Sequence, residues 1–290
     1  PAPRAETARR TWKTDRPVKA VVVGGSISKY FAGNFGQYLQ YGCKDLEVLN
    51  RGKVGAGGAA LAKVLADDVL GDPEVMGGFA KGKGWILFQG GLNSVGAPES
   101  TVAALARLFK QAHDGGLKVA ALTLTPWGSD KDTRFQGWDG LRTHRATELV
   151  VDFVLGKLTP KQALGKRAAE RVGETWLPGE LPMIGVDLWR SSLRAGKTNA
   201  LRDEKTLDAS FEKSFYGKRK AEKAALVAAA RAVPQHYLDE KYRDFDHIHP
   251  NSQGHRLIAA LVCQQAPAEW GCDCDLIRRA EWKGKVVAGK

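Results

Sequence analysis

Ser26, Asp246 and His249 are of the types that acyl-transfer chemistry requires, and each stands where local sequence can present it. Ser26 follows an apolar run, Val18–Gly24, in the turn Gly24-Gly25-Ser26-Ile27-Ser28. The two glycines permit a tight strand-to-helix turn that lifts the serine to its apex. The turn is close to the nucleophile elbow G-x-S-x-G, with Ser28 where the elbow has its second glycine. Far along the chain lies Asp246-His247-Ile248-His249-Pro250-Asn251-Ser252-Gln253-Gly254-His255. Pro250 disfavours helix at His249, so Asp246 and His249, three residues apart, share a loop. One short segment can therefore bring a carboxylate to an imidazole, which is the Asp–His half of a Ser-His-Asp triad. The spacing from Asp246 and the following proline favour His249 over His247 and His255 as a general base. A Gly-Gly-Ser turn alone suits an ordinary loop, and a His-rich loop can arise by chance, so the halves carry weight together.

Two further glycine-rich segments can supply donors to an oxyanion. Asn50-Arg51-Gly52-Lys53-Val54-Gly55-Ala56-Gly57-Gly58 has neither the Gly-Lys-Ser/Thr of a phosphate loop nor G-x-G-x-x-G. What remains is a flexible loop with backbone N–H groups free to face an anion. In Gly90-Gly91-Leu92-Asn93-Ser94, the Asn93 amide can point into a crevice or cap the following helix, and both roles stay open.

The elements that must position these residues alternate. Val18–Gly24, Leu46–Asn50, Trp85–Gln89, Val119–Thr125 and Met183–Leu188 read as strands, the first buried on both faces. Phe31–Tyr41, Gly58–Val69, Thr101–Ala112, Leu141–Leu155 and Ser252–Cys263 read as helices. Such alternation predicts a doubly wound α/β fold, whose ligand crevice lies outside the carboxyl ends of the strands. Ser26, Gly55 and Asn93 each follow a predicted strand. The expected organisation is a polar extension over 1–16 without the apolar h-region of a signal peptide, and one domain over 17–263. A charged, Ala-rich helical insertion occupies about 199–231, and an irregular tail covers 264–290.

Taken in order, the four segments resemble the conserved blocks of the SGNH hydrolases, also called GDSL esterases or lipases. Gly24-Gly25-Ser26-Ile27-Ser28 resembles the G-D-S-x-S block and Gly55 the block-two glycine. Gly91-Leu92-Asn93-Ser94 resembles G-x-N-D, and Asp246-His247-Ile248-His249-Pro250 resembles D-x-x-H-P. The resemblance spans about residues 18–263, with 127–243 matching only in general alternation. It implies a three-layer α/β/α fold with a five-stranded parallel sheet in the flavodoxin-like order 2-1-3-4-5. It also implies Ser26 as nucleophile, His249 as base and Asp246 as its orienting partner. The Ser26 and Gly55 N–H groups and the Asn93 side chain would form the oxyanion hole, and no metal or organic cofactor is required. Gly25 and Ser94 depart from the pattern, each standing where the family has Asp.

Composition bounds the rest. The chain has 290 residues and a formal charge of +12, but its basic residues are scattered among acidic neighbours and accompany no nucleic-acid-reading motif. The charge fits a solvated surface, with weak attraction to an anionic cell-surface polymer or lipid as the partner it allows. No apolar run approaches the roughly 18 residues of a membrane span. Four cysteines are too few for a disulfide scaffold, and Cys272 and Cys274 lack C-x-x-C spacing, so a disulfide or buried thiols near the C-terminus is expected, with Cys43 unassigned. A secreted or periplasmic location is favoured over a cytoplasmic one. The expected substrate is a short acyl ester, such as acetyl on a carbohydrate or cell-envelope polymer. Trp127, Trp138 and Trp189 are candidates to stack on sugar rings, against the alternative of packing in the core. A lipid esterase or lysophospholipase, an acyltransferase and a non-catalytic binding module are the competing readings.

Overall fold

The computed structural model describes residues 11–129, 134, 137–165, 173–195, 222, 224, 225, 228 and 236–289. Val18–Gly24 forms β1, buried at every position, as an apolar run between two helical layers must be. Leu46–Asn50 is β2, Gly84–Gln89 is β3, Lys118–Leu122 is β4 and Ile184–Val186 is β5. They form one parallel sheet in the order β2-β1-β3-β4-β5. This is the order expected. Because successive side chains point to opposite faces, each central strand feeds two cores. Val21, Val23, Ile86, Phe88, Val119 and Ala121 enter one, while Ala20, Val22, Leu87 and Leu122 enter the other.

Helices cover both faces. Phe35–Gly42 is α1, Gly58–Leu65 is α2, Pro73–Gly77 is α3 and Pro98–Asp114 is α4. Gly137–Val154 is α5, Pro160–Leu164 is α6, Ser252–Cys263 is α7 and Cys274–Arg279 is α8. Residues of α2, α4 and α5 fill the first core, and those of α1, α7 and α8 the second. The first helix begins at Phe35 rather than Phe31, because Asn34 and Gln37 form a capping box that sets its start. The expected helix over Gly58–Val69 passes at Ala66 into a π-type turn over Ala66–Leu70. Within the insertion expected over 199–231, only 222, 224, 225 and 228 are described, and all four are helical; the rest lies outside the described residues.

The segment over 264–290 is not irregular, which corrects the expectation. After the 3₁₀ turn Ala268–Trp270 come α8 and an antiparallel hairpin of β6, Ala280–Trp282, and β7, Val286–Ala288. These elements are too short for periodicity to reveal. Their places are set by the disulfides Cys43–Cys272 and Cys263–Cys274, and by Trp270, fully buried edge-on to Trp85 at 5.4 Å. Glu269 accepts hydrogen bonds from Trp85 Nε1 at 3.0 Å and Lys118 Nζ at 3.1 Å, at the amino ends of β3 and β4. Residues 11–16 are docked there too. Arg16 donates to the carbonyls of Gln40, Cys43 and Leu46, and the Lys13 and Thr14 N–H groups reach Glu47, which pairs with Lys19.

Candidate active site

The opposite, carboxyl end of the sheet gathers the chemistry-bearing loops. β1 ends at Gly24, where a Cβ would lie 2.1 Å from Ser28 Oγ and 2.2 Å from the Gln89 carbonyl, so only glycine fits. The Lys29 and Tyr30 N–H groups bond back to the Ser26 and Ile27 carbonyls, closing a tight turn. Ser28 faces inward, fully buried, with Oγ 3.3 Å from the Gln89 carbonyl and its own carbonyl taking Asn50 Nδ2 at 2.7 Å. Ser26 is left at the top, half-buried.

His249 Nε2 lies 2.7 Å from Ser26 Oγ, and its Nδ1 meets Asp246 Oδ2. The same aspartate organises its own loop: Oδ1 accepts the N–H groups of Ile248 and His249, each at 2.9 Å. Burial would raise the Asp246 carboxyl, but these N–H donors and the His249 ring outweigh it and hold the group below its usual range. It is an anion at neutral pH. The loop is braced by Asp244 N–H to the His249 carbonyl at 2.8 Å and by Asn251, which bonds the Lys241 and Arg243 carbonyls and caps α7 at Gly254. Tyr30 ties it to the serine turn, donating its hydroxyl to Asp244 at 3.2 Å.

The other two histidines are placed differently. His247 has a left-handed backbone, φ 62°, and its carbonyl takes the Gly128 N–H. His255 is fully buried in α7 and stacks on Tyr30 at 4.8 Å, and burial pushes its imidazole down to about 3. It is neutral, a packing ring beneath the serine turn.

Gly55 has φ +74°, a left-handed turn that favours glycine, and Lys53 N–H bonds the Gly24 carbonyl at 2.8 Å, lashing this loop to the serine turn. Neither the Ser26 nor the Gly55 N–H has a partner among the described residues. Asn93 is exposed; its Nδ2 donates to the Ala56 carbonyl at 3.2 Å and stands 3.5 Å from where a Gly25 Cβ would be. It does not cap the next helix, since α4 follows Ala97 without a side-chain cap. Ser94 caps a different helix: its Oγ accepts the Gly58 N–H at 3.1 Å at the start of α2, whose N-cap Gly57 has no side chain to do so. At Gly25, by contrast, a Cβ would meet only ordinary contacts, so no close approach requires glycine there.

Trp127 and Trp189 are 2% and 0% exposed and belong to the core, so neither can stack on a sugar; the side chain of Trp138 lies outside the described residues. Sequence reading overlooked the apolar groups that do face solvent here. Phe245 is 88% exposed beside Asp246, Phe31 85% beside Tyr30, and Val54 71% beside Gly55. Their adjacency in sequence to the site residues was the available signal. His144, Glu148 and His236 form a separate cluster that sequence reading did not single out.

No family model matches the chain, and no curated protein matches it. Among solved structures, the chain is similar to a protein described as an acylhydrolase from Bacteroides fragilis, at TM-score 0.51 and 13% identity over 89% of this chain and 90% of that one. An acetyl xylan esterase follows at TM-score 0.48 and 13% identity over 86% and 100% of the two chains. A GDSL-like lipase from Bacteroides thetaiotaomicron aligns at TM-score 0.47 and 13% identity over 87% and 89%. At such identity the likeness is one of fold.

Proposed function

We propose that this chain, whose fold is that of the SGNH-type acylhydrolases, is a serine esterase. The observation that carries the reading is the continuous hydrogen-bonded path from Asp246 through His249 to Ser26, with 2.7 Å between Nε2 and Oγ. In the proposed reaction His249 Nε2 takes the Ser26 proton as Oγ attacks the ester carbonyl carbon. Ionised Asp246 holds the Nδ1–H tautomer and stabilises the imidazolium. The tetrahedral oxyanion is met by the Ser26 and Gly55 N–H groups and the Asn93 amide. Collapse expels the alcohol, protonated by His249, and leaves an acyl-enzyme. Water, deprotonated by the same ring, then releases the acid. All of these steps use the chain's own groups.

For substrate, the proposal is a short acyl group, such as acetyl, on a carbohydrate or cell-envelope polymer. Gly55 and Asn93 are exposed, so the reacting carbonyl can be offered from a bulky polymer, and Phe31 and Phe245 are planar faces turned to solvent beside the loops. The +12 charge adds attraction to an anionic polymer. Two disulfides support a life in an oxidising compartment, outside the cytoplasm. Among the described residues no helix is long and apolar enough to cross a membrane. The same exposed apolar trio favours a lipid esterase as second reading.

The test is labelling with a fluorophosphonate, followed by product analysis on short p-nitrophenyl esters, acetylated sugars and lysophospholipid. Labelling at Ser26, abolished in Ser26→Ala, is expected, with free acetate as the product from acetylated sugar. Failure of the folded protein to label points to a non-catalytic binding module. Transfer of the acyl group to a sugar hydroxyl identifies an acyltransferase, and preference for lysophospholipid the lipid enzyme.

A further inference from the structure

Away from the serine site, we infer that His144, Glu148 and His236 form a binding site for a divalent transition metal, zinc by the chemistry of its ligands. His144 and Glu148 stand one turn apart on the same face of α5, and His236 directly precedes Tyr237, a residue of the first core. One ligand atom from each residue lies within 4.8 Å of the others. His144 Nε2 and Glu148 Oε2 are 3.3 Å apart. Two ligands of a tetrahedral zinc with bonds of about 2.0–2.1 Å sit roughly 3.3 Å from each other, so this pair already has the spacing of a coordination edge. Two imidazoles and a carboxylate are a known zinc donor set, leaving a fourth position for water.

Three details favour ligation over packing. The rings do pack: His236 stacks on Trp189 at 5.0 Å and 8°, and His144 lies 4.6 Å from His236. Packing alone, however, would be served by phenylalanine. Here His236 Nδ1 is buried without a hydrogen-bond partner among the described residues, a cost that an apolar ring avoids and that ligation through this nitrogen removes. Besides the His144 ring, Glu148 has no close partner among the described residues. The nearby Arg190 reaches its Oε1 only at 3.9 Å, while bonding Asp152 at 2.9 Å and Asp187 at 3.3 Å. Finally, Trp189 is fixed at the carboxyl end of the sheet, where Thr123 Oγ1 accepts both the Leu188 and Trp189 N–H groups. A metal here joins α5 to His236, next to Tyr237, whose carbonyl takes the Ala195 N–H. It shares no residue with Ser26, His249 and Asp246.

The untagged full chain, stripped with chelator, is titrated with zinc chloride by calorimetry and then melted with and without zinc. One zinc per chain is expected, with Tm raised by about 5 °C at a hundredfold excess over Kd. Glu148→Gln and His236→Gln keep the side-chain size and should each weaken binding by at least roughly 10–100-fold, with Ser26 labelling unchanged. X-ray absorption of the wild-type zinc form should show two imidazoles in a nitrogen and oxygen shell, a readout independent of how the variants fold. Absence of stoichiometric binding, equal affinity in the variants, or a shell without imidazole would overturn the site.

Discussion

The two ends of one sheet are built to opposite rules. At the amino end the polar groups are consumed internally. Lys19 and Glu47, 7% and 5% exposed, pair with each other. Arg16 is spent on three carbonyls, Glu269 on Trp85 and Lys118, and Cys43 is bonded to Cys272. At the carboxyl end the Ser26 and Gly55 N–H groups are held in place without a partner among the described residues, and exposed Asn93 gives one Nδ2 hydrogen to the Ala56 carbonyl and keeps the other. His249 and Asp246 are 26% and 32% exposed. In the proposed reaction these N–H groups meet the substrate's developing charge, and an N–H hydrogen already bonded within the protein could not do so. Stabilisation therefore has to come from elsewhere in the fold, and here it is concentrated at the far end of the same strands.

This division can be broken from either side. The largest effect belongs to Ser26→Ala, which should lower ester hydrolysis by roughly 10³–10⁶-fold and leave the melting temperature near wild type. Wild-type turnover in that variant would remove the nucleophile from the proposal. Next comes Lys19→Met at the amino end. It takes the only charged partner among the described residues from the buried Glu47 carboxylate, which keeps the Lys13 and Thr14 donors, and should cost about 2–3 kcal/mol and lower Tm by roughly 5 °C without changing kcat of the folded fraction. A variant that melts normally but turns over slowly would mean that the two ends are not independent.

Asn93→Ala sharpens the contrast within the site. As an oxyanion donor it should lower kcat by roughly 10²–10³-fold with little change in KM. The Asn93–Ala56 hydrogen bond accounts for only about 1 kcal/mol of stability. A destabilised but fully active variant would take the amide out of the proposed oxyanion hole. The smallest effect is acid sensitivity at Glu47. Burial would raise this carboxyl, but the donors from Lys19, Lys13 and Thr14 outweigh it and hold the group below its usual 4.5. Its contribution is thus complete above about pH 4.5 and is lost as pH falls through the lowered value. Tm followed through that range should fall less steeply in Glu47→Gln than in wild type; parallel curves would show that Glu47 does not carry the acid transition.

What could be read early was local. The run Val18–Gly24 and the segment Leu46–Asn50 are strands with the expected bounds, and α7 spans the expected Ser252–Cys263, because burial on both faces and helical periodicity leave a signal in consecutive residues. The contact between Asp246 and His249 was legible for the same reason, three residues and a proline sufficing to put both on one loop. Residues 264–290 were not legible, since two cross-links and a buried tryptophan order them rather than any repeating pattern. Asn93 and Ser94 show the limit most closely. Before a helix Asn93 looks fit to cap it, yet it turns to the Gly25 side, while its neighbour Ser94 caps α2, an element much earlier in the chain.

Sequence alone thus determined the α/β alternation, the strand order through its family resemblance, and which serine, histidine and aspartate to consider, since each depends on spacing or on a motif within a few residues. Tertiary structure alone decided what meets across the chain. It brought His249 Nε2 to 2.7 Å from Ser26 Oγ, buried Trp127 and Trp189 while exposing Phe31 and Phe245, and assembled His144, Glu148 and His236. The physical reason is that hydrogen bonds and buried contacts act over a few ångströms in space. Only the packed sheet and its helices set which distant residues come within that reach.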